Sequence, residues 1–409
     1  MVDAGKTHTS LAAGAQHLSK RLVASYVIDW ILILGIAAIG IGFSNIDGSR
    51  RRFSLQDPHI SYAYHDDTIS NAVLFVVSLI APAVITAVLC LILEPGPTVD
   101  RASTPREPLW RQKIWEWNTA WMGLGLTLAS TYAISEGLKD LAGKPRPYLL
   151  DVCDPDLSPA SIVRHRVGGL GTSVDSAVPI VVDWHICRST DEDKLSNAFA
   201  SWPSGHSSYS WAGMLYLTLF VCAKLAIHIP FLQPTYPDRG RTGTYLFADK
   251  GKEKYRPRTS SSQRNEAAAP PIYLLILAFV PMGTALFISV SRYFDYHHDG
   301  FDIISGALIG ICMAWFGFRW YHLPIRGSAG SAWGARSRNH AFWPGCGRIS
   351  YVGDEGWETE RTIVPREDDD VEAARYINEQ PSMSGAQSEE TIADAIGAQS
   401  ERGRPAYTA

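Results

Sequence analysis

Six apolar segments, each about as long as a bilayer is thick, constrain this 409-residue chain more than any other feature. They contain few charged side chains, and about 20 helical residues cross the ~30 Å hydrocarbon core of a membrane. None shows the alternation of a membrane β-strand. The sequence therefore predicts an all-α, polytopic membrane protein with six transmembrane helices. The six segments are Leu22–Phe43, Ala72–Leu93, Thr119–Leu138, Ser207–Ile229, Pro270–Val290 and Asp302–Leu323.

The alternative is a large soluble protein with buried core helices, and the mean hydropathy of −0.04 is typical of such a chain. That mean averages very apolar segments with very polar ones, and soluble cores rarely need six apolar runs of this length. Charged residues make up 19% of the chain, below the ~25% of ordinary globular proteins. The first segment is also too long for a cleaved signal peptide. Membrane-spanning helices are therefore the favoured interpretation.

Apolar segments and charge together predict three regions in the chain. Residues 1–21 form a cytoplasmic N-terminal segment, residues 22–323 the six-helix domain, and residues 324–409 a cytoplasmic tail. From residue 362 onward the tail has ten acidic and four basic residues, so we expect disorder there. A solvated tail is favoured, although the acidic run Glu367–Asp370 is also compatible with a basic cytoplasmic partner. The rest of the chain has a net charge of only +2, which argues against a nucleic-acid partner.

Lysine and arginine in the loops predict the orientation of the spans. The loop 230–269 and the start of the tail are basic, which favours a cytoplasmic location for both chain ends. Arg50–Arg52 argue for the opposite orientation. The sequence does not distinguish an endomembrane, a vacuolar membrane or the plasma membrane, and it does not specify whether the protein forms homo-oligomers.

Polar residues gather at four predicted helix ends. The third and fifth helices end at the membrane face where the fourth and sixth begin, because successive spans alternate in direction. These groups should therefore meet at one face. They are Lys139 and Arg146 after the third helix, Ser204, Gly205 and His206 before the fourth, Arg292 at the end of the fifth, and His298 and Asp302 before the sixth.

Such a cluster is suited to phosphate chemistry. Three positively charged side chains close together at an interface are costly in free energy unless an anion binds among them. The planar guanidinium of arginine also has a geometry suited to hydrogen bonds with phosphate oxygens. Free N–H groups at a helix start favour an anion, and Gly205 allows close backbone approach. One histidine can act as nucleophile, with a carboxylate fixing its tautomer, while another protonates a departing oxygen. No metal or other cofactor is predicted, because the acidic residues that Mg²⁺ needs are few.

Each residue also has a structural interpretation. A single lysine or arginine at a helix end is usually an interface anchor, and Ser204 could be a helix cap. We expect His297 to face solvent or headgroups. Asp29, inside the first helix, is either functional or a hydrogen-bonded structural group. Cys153 and Cys187 share one loop and form either a disulfide or a pair of free thiols.

Three motifs in this cluster resemble those of the type 2 phosphatidic acid phosphatase superfamily. The motifs are K-x6-R-P at Lys139–Pro147, P-S-G-H at Pro203–His206 and S-R-x5-H-x3-D at Ser291–Asp302. Phe53–Tyr62 is similar to the F-S-L-x-D-x-x-I-x-Y stretch of the eukaryotic lipid phosphate phosphatase and diacylglycerol pyrophosphate phosphatase branch. That likeness assigns Arg50–Arg52 to the outer side.

The resemblance implies a role for each residue. His298 attacks phosphorus to form a phosphohistidine, Asp302 orients and activates it, and His206 protonates the leaving group. The expected phosphate ligands are Lys139, Arg146, Ser204, Gly205 and Arg292.

The expected function is metal-independent hydrolysis of phosphatidic acid, and also of diacylglycerol pyrophosphate and lysophosphatidic acid, at a site facing the lumen or exterior. The open enzyme alternatives are a sphingoid-base phosphate or polyprenyl diphosphate phosphatase. Vanadium haloperoxidases share the site design, but six spans argue against them. A catalytically silent lipid-binding scaffold is the non-enzyme alternative, and the intact His206, His298 and Asp302 argue against it.

Overall fold

A computed structural model describes residues 20–93, 106–167, 179–225, 227 and 271–323, together with 325, 332, 336 and 342. The predictions for residues 1–19, for the basic loop 230–269 and for the acidic tail beyond residue 342 lie outside these residues. The structure is mostly helical. Its helices are α1 (Lys20–Phe43), α2 (Asn71–Ile92), α3 (Arg106–Ala142), α4 (Leu149–Cys153), α5 (Pro159–His165), α6 (Glu192–Ala198), α7 (Gly205–Lys224), α8 (Ile272–Phe294) and α9 (Gly300–Tyr321).

Four of these helices, α1, α2, α8 and α9, are long and apolar enough to cross a membrane. Their outer faces expose many large apolar side chains, as expected for helices in contact with lipid. The other two predicted spans coincide with α3 and α7, which are long but more polar. This difference has a physical reason, because both helices lie inside the bundle and can bury polar groups against other helices.

Helix α7 is the centre of the bundle. It packs against α9, α8, α3 and α2, and most of its residues are buried. Glycines in α9 allow this close packing, since a Cβ on Gly306 would lie 2.5 Å from the Ser204 carbonyl oxygen. A Cβ on Gly310 would lie 2.3 Å from the Ser208 carbonyl oxygen. Small residues four apart therefore bring the start of α9 against the start of α7.

A small cap of irregular structure covers the end of the bundle where α7 and α9 begin. Strand β1 (Phe53–Ser54) pairs antiparallel with β2 (Val181–Val182), with Phe53 opposite Val182. The linkers also contain the short 3₁₀ helices Pro58–Ile60 and Trp184–Ile186. A cluster of buried apolar side chains, among them Leu149, Val182 and Phe199, holds this cap together.

Cys153 and Cys187 form a disulfide in the cap, with their Cα atoms 4.7 Å apart. The sequence left this pairing open. The bond joins the end of α4 to the residue that follows the second 3₁₀ helix, so it links α4 to the segment that leads into α6.

Asp29 has a structural partner. Its Oδ2 lies 2.6 Å from Arg336 Nη2, and the Arg336 backbone N–H donates to Tyr26 Oη at 2.9 Å. Of the two interpretations open for Asp29, the hydrogen-bonded structural role therefore matches the described contacts.

Candidate active site

The predicted site residues lie together at one end of the bundle. The backbone N–H of Ser204 donates to the Asp302 carbonyl at 3.0 Å, which joins the starts of α7 and α9. Lys139, near the end of α3, places its Nζ 2.9 Å from the position of a Cβ on Gly205. Glycine at this position therefore leaves room for the ammonium group beside the first turn of α7.

Ser204 is the N-cap of α7. Its side chain is buried, and its Oγ accepts a long hydrogen bond from the Ser207 backbone N–H at 3.5 Å. The preceding Trp202–Pro203 peptide bond is cis. The structural interpretation of Ser204 is thus observed, and its contact with phosphate stays a prediction.

The three predicted phosphate-binding cations differ in their partners. Lys139 Nζ lies 2.6 Å from Glu136 Oε1, one helical turn earlier. Arg292 is 1% exposed, and its Nη1 lies 2.8 Å from Asp67 Oδ1. Within the described part of the chain, Arg146 has no carboxylate within ion-pair distance.

Arg146 instead contacts neutral groups. Its Nη1 donates to Tyr148 Oη at 3.1 Å, and its Nη2 donates to the Ala200 carbonyl at 3.3 Å. Nη1 also lies 3.2 Å from His297 Nδ1, while the Arg146 Nε is buried without a hydrogen-bond partner among the described residues. These contacts fix the guanidinium without neutralising it, which favours an anion nearby.

His297 is buried, so the prediction that it faces solvent or headgroups is wrong. The side chain is 3% exposed, and its Nε2 donates to the His65 carbonyl at 2.9 Å. Its Nδ1 is then the acceptor for Arg146. Burial and the charge of Arg292 lower the pKa of His297 to about 4, so the ring is neutral at pH 7. The sequence signal for this role was only its position next to His298.

His298 is oriented by a main-chain carbonyl. Its Nδ1 donates to the Ser201 carbonyl at 2.8 Å, which in a neutral ring leaves the lone pair on Nε2. The side chain is 3% exposed. Burial, together with the charges of Arg146 and Arg292, holds the pKa of His298 well below its ordinary value. His298 is therefore neutral at pH 7, as a nucleophile requires.

Asp302 contacts the side chain of Ser201, whose carbonyl orients His298. Its Oδ2 accepts from Ser201 Oγ at 2.6 Å, and its Oδ1 lies 2.8 Å from Lys144 Nζ. The sequence predicted a carboxylate on the second ring nitrogen of His298. In the structure Ser201 lies between the two groups, because its carbonyl contacts His298 and its hydroxyl contacts Asp302. The role of Asp302 toward His298 stays a prediction.

Residues 61–70, which we call the strap, contact the site along most of their length. Asp67 pairs with Arg292, and the Ile69 carbonyl accepts from His206 Nε2 at 3.0 Å. Thr68 anchors the strap, because its backbone N–H and its hydroxyl both donate to Asp295. No motif spacing predicted these contacts, since they come from a segment more than 130 residues before His206.

The carboxylate of Asp67 is ionised in this arrangement. Burial alone would raise the pKa of Asp67, but the charge of Arg292 and the contact with it outweigh burial and lower the pKa. A negative group therefore already lies against one of the predicted phosphate ligands.

A polar cavity of about 280 Å³ adjoins Lys139. Its lining combines acidic residues, among them Glu136, Asp140 and Glu192, with the cations Lys139 and Arg50.

The sequence profile of the PAP2 superfamily matches residues 120–326, half of the chain. The chain belongs to the PAP2 superfamily. Within that range lie all eight predicted site residues, whereas the strap lies before it.

Two curated relatives of this PAP2 protein come from a yeast and a plant. It is 26% identical to diacylglycerol pyrophosphate phosphatase 1 of Saccharomyces cerevisiae over 276 residues, which cover 67% of this chain and 72% of that protein. It is 24% identical to lipid phosphate phosphatase 2 of Arabidopsis thaliana over 290 residues, covering 70% of this chain and 74% of that protein. No solved structure matches. These similarities place the PAP2 protein in the lipid phosphate phosphatase and diacylglycerol pyrophosphate phosphatase branch.

Proposed function

We propose that this PAP2 membrane protein hydrolyses phosphatidic acid, and also diacylglycerol pyrophosphate and lysophosphatidic acid, without a metal ion. The observation that carries the proposal is the convergence of Arg146, Arg292 and Lys139 on two histidines at one end of the bundle. An uncompensated guanidinium beside neutral, oriented imidazoles suits a phosphate ester better than any uncharged ligand.

The proposed reaction has two steps. His298 Nε2 attacks phosphorus, the bond from phosphorus to the lipid oxygen breaks, and His206 gives a proton to that oxygen. A phosphohistidine remains. His206 then takes a proton from water, the water oxygen attacks phosphorus, the N–P bond breaks and inorganic phosphate leaves. Stabilising the charge on the phosphoryl oxygens is the task assigned to Lys139, Arg146 and Arg292.

Ser204 and Gly205 complete the proposed phosphate cradle at the start of α7. Asp302 supports His298 through Ser201. In the resting site His206 Nε2 donates to the Ile69 carbonyl, which leaves the lone pair of a neutral ring on Nδ1. To act as the acid, His206 must first become an imidazolium, and the negative charge of a bound phosphate favours that second proton.

The proposed topology has six spans, with α3 and α7 as the inner pair. Acyl chains then remain in the bilayer while the phosphate reaches the helix ends. The disulfide in the cap supports a lumenal or external site, because such bonds persist in oxidising compartments. Single cysteines introduced at Arg52 and Arg256 should be labelled from opposite faces of the membrane. Labelling from the same face would exclude six spans.

The names of the relatives favour glycerolipid phosphates over the sphingoid and polyprenyl alternatives. The test is release of phosphate by the purified protein in liposomes that contain EDTA. A panel of phosphatidic acid, its pyrophosphate, lysophosphatidic acid, a sphingoid phosphate and a polyprenyl diphosphate ranks the substrates. A strict Mg²⁺ requirement, or turnover of the last two lipids alone, would overturn the proposal.

A further inference from the structure

Lys144 occupies one of the six unspecified positions of the K-x6-R-P motif, yet it pairs with two carboxylates of the site. Its Nζ lies 2.8 Å from Asp299 Oδ2 and 2.8 Å from Asp302 Oδ1. The Asp302 side chain is fully buried. A buried carboxylate is stable as an anion only when it is paired and hydrogen-bonded, and Lys144 supplies the charge.

Lys144 also closes a ring of hydrogen bonds. Its carbonyl accepts from the Ser201 backbone N–H at 3.0 Å. Ser201 Oγ donates to Asp302 Oδ2 at 2.6 Å, and Lys144 Nζ donates to Asp302 Oδ1 at 2.8 Å, which closes the ring. The one remaining polar group of Ser201, its carbonyl, accepts from His298 Nδ1. The orientation of His298 thus depends on a serine that Lys144 holds from two sides.

We propose that Lys144 is a positioning residue for His298, acting through Asp302 and Ser201. The inference rests on the proposed function, because it assigns a role toward the nucleophile of that reaction. Lys144 itself does not contact the phosphate in this role. It keeps the Asp302 carboxylate charged and directed at Ser201, and thereby keeps the Nδ1 proton of His298 in place.

Loss of Lys144 should also change the pH dependence of the reaction. Lys144 and Asp299 are the charged groups that face Asp302, while Lys139, Arg146 and Arg292 face His298. Asp299 and Asp302 also share the capping box of α9. Removing the ammonium would leave two carboxylates together without their cation, and the buried Asp302 carboxylate would then be less stable as an anion.

The experiment compares Lys144→Met and Lys144→Arg with the wild type and with Lys20→Met, a substitution of an exposed lysine at the start of α1. We expect Lys144→Met to lower kcat about 10- to 100-fold, by analogy with the loss of a residue that orients a metal-bound histidine. KM and inhibition by orthovanadate should stay unchanged. The pH profile of kcat should change relative to the wild type, and Lys144→Arg should restore both rate and profile.

Two results would overturn the inference. One is a wild-type kcat and pH profile in Lys144→Met. The other is a loss of orthovanadate affinity as large as the loss of kcat, which would place Lys144 on the phosphate. If Lys144→Met does not fold, Ser201→Ala replaces it, since this change keeps every charge and the Ser201 carbonyl. A normal kcat in Ser201→Ala would then contradict the inference.

The assay uses a lipid that the wild type hydrolyses, so the two proposals fail differently. A wild type that turns over no lipid of the panel contradicts the proposed function and the inference with it. An active wild type with an unaffected Lys144→Met contradicts the positioning role alone.

Discussion

The two ends of the helix bundle both bury charged side chains, but they pair them differently. At the end opposite the site, Lys224 Nζ lies 2.6 Å from Glu116 Oε2, and both side chains are less than 10% exposed. At the site end, Arg146 is held by neutral acceptors, with no carboxylate partner in the described part of the chain.

Lys139 and Arg292 each contact a carboxylate, so among the proposed phosphate ligands it is Arg146 that differs most from the closed Lys224–Glu116 pair. In a buried pair of opposite charges each group neutralises the other, so the pair does not attract an anion. A guanidinium held by a phenol, a carbonyl and a neutral imidazole keeps its full charge while its position is fixed. Substitutions at the two ends should therefore affect different quantities, stability at one and catalysis at the other.

The largest expected effect is that of His298→Ala at the site end. Removing the nucleophile should lower kcat roughly 10³-fold or more, equivalent to several kcal/mol of barrier. The fold should survive, since the main-chain partner Ser201 is unchanged. Phosphate release in liposomes measures the loss, and His185→Ala, an exposed histidine of the cap, is the matched control. Normal turnover by His298→Ala would exclude it as the nucleophile.

The next effect concerns the opposite end. Lys224→Met leaves Glu116 buried without its ion-pair partner, so we expect a loss of about 3–5 kcal/mol of stability. The kcat of the folded fraction should not change, because the site is at the other end of α7. Thermal denaturation in detergent measures the stability.

A double variant provides the control for this prediction. Combining Lys224→Met with Glu116→Leu removes both charges and should recover most of the stability. A large fall in kcat in either variant, at unchanged stability, would contradict the division between the two ends.

The placement of the eight site residues could be predicted from the sequence because it follows from topology. Helices of bilayer length alternate in direction, so the ends of α3 and α8 must meet the starts of α7 and α9. Motif spacing then places His298 and Asp302 on the same helix start. Errors of a few residues in the helix boundaries do not alter this result.

The partners of those residues could not be predicted in the same way. Asp67 belongs to the strap and Ser201 to the segment before α7, and neither segment has a periodicity that fixes its path. Lys144 occupies an unspecified motif position, so spacing did not single it out. The burial of His297 depends on the strap and on Arg146 together. Local spacing predicts which groups meet, whereas loop conformation decides which of them pair.

A conservative change at Arg146 tests the comparison more finely. Arg146→Lys keeps the charge but loses the planar fork, so we expect kcat/KM to fall about 10- to 100-fold, or ~1.5–3 kcal/mol for charged hydrogen bonds. Stability should change little, since no ion pair is broken. The same substitution at Arg336, which pairs with Asp29, is the control and should leave kcat/KM unchanged. Equal effects of the two changes would mean that Arg146 is structural.

The smallest expected effect is a gain, from Asp67→Asn in the strap. Asp67 holds Arg292 in the resting site, so a phosphate must displace a carboxylate before it binds. Neutralising that carboxylate should tighten inhibition by orthovanadate about fivefold, near 1 kcal/mol for a partly exposed ion pair. Because the pKa of Asp67 lies below its ordinary value, the carboxylate is charged throughout pH 5–8 and the gain should be constant across that range. Asp66→Asn, at the exposed neighbouring position, is the control. Weaker inhibition in Asp67→Asn would mean that the strap carboxylate helps to hold the anion site together, instead of competing with the anion.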